Sequence, residues 1–513
     1  MKLKSLYKTS VYGLLLSMSV TSCNLDYDPV SSYSDVTEGV TNDKSESEVI
    51  FKDKAAVESH LVTLYNQMRD RQEHWYVDAL LIAEAHSDNA YAGTTGAEVI
   101  PYENNSIDGS NSVLGRDWDR FLEDIARANK LIVGVDNVEG LSESDKECYK
   151  SQAKIFRAMI MFDMARMWGS FPVITTVAGD ITSENVDEMY PVYFPKQNTE
   201  EEAYKQIEKD LLEALNAPSA LENDPSNKTL FTKSVARALL AKVYAEKPIR
   251  DYDKVIKYAN ELKADGFGLV DNFNDLWGTI GEDGSVTDCK MRNTKESILE
   301  GQFHPGNGNW CTWMFGRDLS NWDSQFSWAK WITPSRDLIK AFKSEKDEIR
   351  FNESIRYYEC NWSNYYPMNE YPFMYKCRSA FNSIIYLRYA DILLLKAEAL
   401  IMKENADLDA AADIIDEVRA RVELGKLPAS TRNSKEAMIE ALLKERRLEL
   451  AFEGERWYDL VRLNKVEEVM NAVYSKDSGR KGQVNLFNEN SYRLPIPQGA
   501  IDQNDNLVQN PGY

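Results

Sequence analysis

Glu445-Arg-Arg-Leu-Glu-Leu-Ala-Phe-Glu-Gly-Glu-Arg-Trp-Tyr-Asp-Leu-Val-Arg462 is the stretch from which the rest of this chain is read. Glu445, Arg446, Arg447, Glu449, Glu453, Arg456 and Arg462 recur at roughly helical spacing with opposite signs. Leu448, Phe452, Trp457 and Leu460 supply an apolar side. Opposite charges three or four positions apart meet on a helix surface, and this pattern suits ion-pair networks between helices. The stretch therefore reads as a fold determinant rather than a catalytic centre. It predicts a long helix over 434–453, preceded by a helix pair over 388–402 and 407–422.

Further outward the same periodicity returns. A hairpin of helices is predicted over 232–246 and 251–264, together spanning about the 34 residues of a tetratricopeptide unit. Thr199 with Glu202 three residues on forms a capping box for the preceding helix, whose face carries Ile207, Leu211 and Leu215. Long apolar-faced helices are predicted over 117–133 and 144–167; the globular part opens near Lys54 with a helix carrying Val57, Leu61, Leu64, Tyr65 and Met68 on one face, followed by a short one at 78–84. The fold class is mainly α, with tetratricopeptide-like helix pairs forming a scaffold. Between 266 and 385 the pattern changes to Gly, Asn, Asp and aromatic residues, with a brief helical period near 334–342. Such a stretch is too aromatic to be disordered and reads as a loop-rich, ligand-facing cap.

The N-terminus is a leader. Lys2, Lys4 and Lys8 precede an apolar run over 11–20, far short of the about 20 residues that span a bilayer as a helix. Val20-Thr21-Ser22-Cys23 resembles the lipobox of bacterial lipoproteins, in which the cysteine takes lipid and becomes the mature N-terminus. The polar stretch that follows reads as a tether. The organisation expected is a signal peptide at 1–22, a lipidated tether at 23–50, an N-terminal helical region at 51–265, the aromatic cap at 266–385 and a C-terminal helical region at 386–513.

A net charge of −22 argues against nucleic acid and against electrostatic docking on anionic lipid. Six cysteines match no zinc spacing and are too few for a disulfide framework. With Cys23 lipidated, five remain, and one bridge within the Cys289 to Cys377 region is compatible with the sequence. The four histidines, His60, His74, His86 and His304, form no metal-binding spacing. No GxSxG elbow and no Gly-rich phosphate loop occurs. The expectation is no catalytic residue, no cofactor and no metal, with Ca²⁺ left open at the acidic turn of residues 281–284.

The aromatic map points to binding. Trp310, Trp313, Trp322, Trp328, Trp331 and Trp362 are six of the eleven tryptophans. They fall in a window where even scattering would place about one. Tyr357, Tyr358, Tyr365, Tyr366 and Tyr371 add to it. Flat apolar faces with polar edges suit the C–H faces of sugars or peptide backbones. Any single ring is better explained by packing a loop-rich segment; several together point to a platform. Trp310, Trp313 and Trp322 are the first candidates, because Gly306 and Gly308 imply a turn that presents them. Trp75, Asp88, Asn89 and Tyr91 form a second group, in which Asp and Asn would hydrogen-bond vicinal hydroxyls while aromatic rings stack. Helix capping is the plain alternative for Asp88 and Asn89.

Arg388-Tyr-Ala-Asp-Ile-Leu-Leu-Leu-Lys-Ala-Glu-Ala-Leu400, Val418-Arg-Ala-Arg421, the stretch quoted first, Tyr492-Arg-Leu-Pro-Ile-Pro497 and Gln509-Asn-Pro-Gly-Tyr513 closely resemble the SusD/RagB family of Bacteroidetes outer-membrane lipoproteins. Ala126-Arg-Ala-Asn-Lys-Leu-Ile132 and Trp168-Gly-Ser-Phe-Pro172 look like the family's N-terminal signatures. The resemblance implies a non-catalytic, lipid-anchored surface protein that captures oligosaccharides and delivers them to a partner TonB-dependent transporter. It carries the lipid onto Cys23 and carries over no ligand residue. Peptide capture by the same architecture, a surface glycoside hydrolase and a purely structural partner of the transporter stand as the other readings.

Overall fold

The Thr199 side chain accepts from the backbone N–H of Glu202 while Glu202 reaches back to the Thr199 N–H, so the expected capping box opens helix Glu200–Asn216. The same local logic sets the other helices. Asn111 caps Ser112–Gly134, Ser142 caps Glu143–Trp168, Asp407 caps Leu408–Arg421 and Ser434 caps Lys435–Glu449. Glu143–Trp168 stops at Gly169, whose φ of +74° is left-handed backbone that glycine adopts without strain. The computed structural model describes residues 50–93, 96–280, 288–304, 307–315 and 331–513, all within one compact unit.

Each long helix packs on the next. Ser112–Gly134 lies on Glu143–Trp168, which lies on Glu200–Asn216, then Lys233–Ala245, Tyr252–Ala264, Tyr389–Met402, Leu408–Arg421 and Lys435–Glu449. Lys233–Ala245 with Tyr252–Ala264, and Tyr389–Met402 with Leu408–Arg421, are the two expected hairpins. The protein is mainly α-helical, as the periodicity requires. Its core is the shared surface of the stack, filled by Trp118, Trp168, Phe121, Phe156, Ile207, Leu240 and Leu394.

Short antiparallel ladders, which helical periodicity does not reveal, organise the region that the sequence presents as loops. Ile355–Tyr358 pairs with Tyr371–Met374, and Ser297–Gly301 pairs with Ile384–Arg388 through an irregular register. Ala90–Ala92 pairs with Ile332–Pro334, joining the N-terminal part to the cap. The segment after residue 72 also differs from expectation. It winds through two π-helical turns, Glu73–Val77 and Leu81–Ala85, on either side of Asp78–Leu80.

The charged stretch forms a buried keel. Glu449 accepts from Arg350 at 3.1 Å, from Arg388 at 2.7 Å and from Arg421. Glu296 bridges Arg388 and Arg421 at 2.7 and 2.8 Å, and Glu445 holds Arg350 at 2.6 Å. Beside this, Arg446 joins Asp391 to Asp459 at 2.8 and 2.9 Å, and Arg462 joins Asp459 to Glu398 at 2.7 and 2.8 Å. Leu448, Phe452, Trp457 and Leu460 are all buried alongside. The helix itself is shorter than the spacing predicts and ends at Glu449. Phe452 and Gly454 take φ of +62° and +81°, which turns the chain before a separate helix, Arg456–Arg462. Glu453 thus leaves the helix and binds Arg388 and Lys376.

Burial pushes the Glu449 carboxyl up, but Arg421, Arg388 and Arg350 outweigh it and hold the group ionised far below the usual carboxylate range. Glu449→Gln removes the one carboxylate shared by three buried guanidinium groups and leaves each with fewer counter-charges. It is expected to cost about 4 kcal/mol, read as a lowered denaturation midpoint. A midpoint within error of the parent would show that the keel is not required for stability.

Candidate functional site

Asp88 lies on the connection leaving the second π-helical turn, and two arginines of the keel claim it. Arg456 donates to both its carboxylate oxygens at 2.7 and 2.8 Å, and Arg447 lies 3.2 Å away. Burial pushes this carboxyl up, yet Arg447 and Arg456 together hold it well below the usual range. Asn89 donates to Glu84 at 2.8 Å and accepts from Arg447 at 2.9 Å. The Tyr91 hydroxyl donates to Asp477 at 2.7 Å, and the Trp75 indole donates to Asp124 at 3.0 Å. Trp75, Asp88, Asn89 and Tyr91 are 4, 2, 0 and 0 % exposed. These four expected ligand residues are corrected to scaffold, because their polar atoms are already satisfied inside the protein and no face is left for a sugar.

Tyr91 nevertheless points to the surface that matters. Its ring stacks on Tyr365 at 4.6 Å and 14°. Tyr365 is itself nearly buried, with its hydroxyl donating to Glu103 at 2.6 Å. Around this base stands the Ile355–Tyr358/Tyr371–Met374 hairpin, with Tyr357 opposite Pro372 and Tyr358 opposite Tyr371. Trp362 packs on Tyr371 and Phe373 at 5.7 and 6.0 Å, Tyr366 on Tyr371 at 5.8 Å, and Tyr358 on Phe373 at 5.9 Å. Arg336 covers Tyr366 at 4.1 Å.

The rings form two tiers. Tyr91, Tyr365, Tyr371 and Phe373 are the buried floor, and Tyr358, Trp362 and Tyr366 are half-buried against it, while Tyr357 packs on Phe351. Arg356, Asn361, Ser363, Asn364, Asn369 and Glu370 are exposed among them. Aromatic edges and faces held from below, with amide, hydroxyl and charged groups between, can stack on pyranose rings and hydrogen-bond their hydroxyls. The sequence map counted these rings but favoured others. The alternation in Ile-Arg-Tyr-Tyr358 and Tyr371-Pro-Phe-Met, two short strands around a polar connection, is the signal that finds them.

Trp310 borders the same face. It is half-buried, its backbone N–H donates to Gln72 at 2.8 Å, and it opens the short helix Cys311–Met314, which includes Trp313. A run of hydrogen bonds ties this turn to the hairpin loop. Trp331 N–H donates to the Met314 carbonyl at 2.9 Å, Gly93 N–H to the Trp331 carbonyl at 3.0 Å, and the Asn364 amide to the Gly93 carbonyl at 2.8 Å. Trp322, Cys23 (the expected lipidation residue) and the acidic turn at 281–284 lie outside the described residues.

A cavity of about 70 Å³ lies deeper, lined by Trp75, Tyr76, Arg166, Lys242, Glu455 and Tyr458 among others. Ligand pockets run to about 300–1,000 Å³, so this one suits a few waters and not an oligosaccharide. Among the described residues no group of three or more His, Cys, Asp or Glu could hold a metal ion. Nor is any helix there long and apolar enough to cross a membrane.

Stacked helix pairs carrying a two-tiered aromatic face define a binding scaffold. Residues 375–513 match the SusD family, and residues 39–245 match a SusD-like family described as "Starch-binding associating with outer membrane". The chain belongs to the SusD family. It is 25% identical to SusD-like protein P38 of Formosa agariphila, over 98% of each chain. Among solved structures, a laminarin-binding SusD-like protein is 25% identical with a TM-score of 0.66, over 90% of this chain and 100% of that one. Surface glycan-binding protein A from Bacteroides fluxus shares the fold at a TM-score of 0.70 and 22% identity, over 90% and 100% of the two chains.

Two buried groups near Asn89 give a pH signature. Burial pushes the Glu84 carboxyl up to about 7, against hydrogen bonds from Asn89 and the Gly454 N–H. Burial also holds the His86 imidazole down at about 4, against its hydrogen bond to the Tyr102 carbonyl. The unfolded chain protonates His86 below 6.5, so the stability that neutral His86 contributes is lost as the pH falls from 6.5 toward about 4. Glu84 acts in the opposite direction. Its contribution is fully present below 4.5 and is lost as the pH rises to about 7. Relative to the parent, Glu84→Gln should therefore make Tm rise more steeply between pH 4.5 and 6.5, and His86→Gln should make it rise less or fall. Melting curves across that range check it; three parallel profiles would show that neither group titrates there.

Proposed function

We propose that this protein is a non-catalytic capture protein for glycans on the cell surface, holding them on the aromatic hairpin face and passing them to a partner TonB-dependent transporter. The two-tiered ring cluster carries this reading, because half-buried tyrosines and a tryptophan supported from below are arranged for stacking rather than for bond cleavage. The family's description as starch-binding and outer-membrane associated supports it, as does the laminarin-binding relative of the same fold. Trp310, Trp313 and Trp322 are kept as proposed ligand residues. Lipid on Cys23, which would follow a signal peptide at 1–22, holds the protein at the outer membrane.

The test is electrophoresis of the soluble chain, starting after Cys23, through native gels that each contain one polysaccharide, laminarin and starch among them. Retardation by one glycan class is expected. Trp362→Ala and Tyr366→Ala should each weaken binding about tenfold with an unchanged melting temperature. Heat released on adding a peptide pool, with no retardation in any gel, would move the protein to peptide capture. Products released from a retarding glycan would make it a hydrolase. The anchor has its own readout. Cells fed labelled palmitate should label the parent protein and not Cys23→Ser, and equal labelling would place the lipid elsewhere.

A further inference from the structure

Asn309 draws two cysteines together. Its carboxamide oxygen accepts from the backbone N–H of Cys311 and from the thiol of Cys377, each at 3.2 Å. Its carboxamide nitrogen donates to the carbonyls of Ser379 and Asn382 at 3.2 and 2.8 Å, and its own N–H donates to the Ala380 carbonyl at 2.8 Å. One side chain therefore clamps the turn at 307–311 onto the turn at 377–382. Cys311 and Cys377 are both buried, and in the structure both are thiols. The Cys377 thiol and the Cys311 backbone N–H meet at the same Asn309 oxygen, which sets the two cysteines side by side. The other described cysteines sit differently: Cys148 against Gln152, Cys289 against Asp288 and Cys360 against the Trp362 carbonyl.

We propose that Cys311 and Cys377 are a redox pair, joined as a disulfide in the mature protein and stapling the root of the Trp310–Met314 turn to the end of the aromatic hairpin. The chemistry is a two-electron oxidation. Each thiol loses its hydrogen and one S–S bond forms, while the electron pair and the two protons pass to a second disulfide, on a protein or a small molecule, whose S–S bond breaks to give two thiols. Both sulfurs are shielded in the folded chain, so exchange takes place while the chain is still closing. A pair of neighbouring thiols that closes persists as a disulfide in oxidising surroundings and as dithiol in reducing ones. The segment it encloses contains every ring of the hairpin and the strand Ile332–Pro334. A bond around so long a segment acts mainly by restricting the unfolded chain. Its position has a second effect, because it fixes where the Trp310–Met314 turn leaves the scaffold.

Full-length protein recovered from the cell envelope is denatured without reductant in excess iodoacetamide, digested and analysed by mass spectrometry. The expected result is one linked peptide pair containing Cys311 and Cys377, lighter by two hydrogens than its parts and separated by reductant. Cys148, Cys289 and Cys360 should carry the alkyl group. Alkylation of both Cys311 and Cys377, or a link from either to another cysteine, overturns the proposal. A second readout does not depend on mapping. Reductant should lower the Tm of the parent by about 3 °C and leave the Cys311→Ser/Cys377→Ser double variant unchanged. The same response in both proteins counts against the bond.

Discussion

One buried carboxylate, Glu449, sits among the guanidinium groups of Arg350, Arg388 and Arg421, and the arrangement of the scaffold follows from satisfying it. The three arginines come from helix Glu348–Ser354, from the junction of a strand with Tyr389–Met402, and from the end of Leu408–Arg421. No two belong to the same element. Buried ion pairs add little net stability over apolar residues of the same size, but separating them leaves a desolvated charge. Apolar helix faces tolerate slippage by a turn; a carboxylate with three fixed partners does not. The keel thus sets register where hydrophobic packing alone would allow several arrangements.

From that fixed frame the aromatic face takes its position. Arg447 and Arg456 extend the keel to Asp88 and Asn89, and the chain then runs directly into the Ala90–Ala92 strand. Tyr91 at the centre of that strand is the bottom ring of the stack, pinned by Asp477 and by the backbone of Arg336. The outer rings rest on a floor whose own polar atoms are committed. In the proposed binding mode a ligand arriving at the half-buried tier would meet rings already oriented, so less freedom would be lost on binding.

The scaffold was legible because it obeys one period. Apolar residues at helical spacing, capping residues such as Thr199 and Ser434, and the charge pattern of residues 445–462 each say the same thing locally and globally. What escaped was whatever depends on partners distant in sequence. Asp88, Asn89 and Tyr91 have the composition of a sugar site, and only the arrival of Arg447, Arg456 and Asp477 shows that their polar atoms are spoken for. Trp362 and Tyr366 read as two rings among many until a short ladder lifts them onto a floor. The helix overrun past Glu449 has a local cause: Phe452 fits the apolar stripe yet adopts left-handed backbone, a choice made by the turn and not by its own preference.

The pairing of Asp88 with Arg456 bridges 368 positions, the Trp168 indole reaches the Pro495 carbonyl across 327, and Tyr91 reaches Asp477 across 386. Contacts this remote govern the order of events during synthesis. While the N-terminal half is emerging, its central carboxylate has no counter-ion, and its strand and its tryptophan lack the segments that close over them. Loop closure over such spans is slow, and a chain dominated by it folds late. The nascent polypeptide lacks these closing segments until its final hundred residues arrive. The last part to be made is the latch, and the molecule cannot lock before its C-terminal segment is complete.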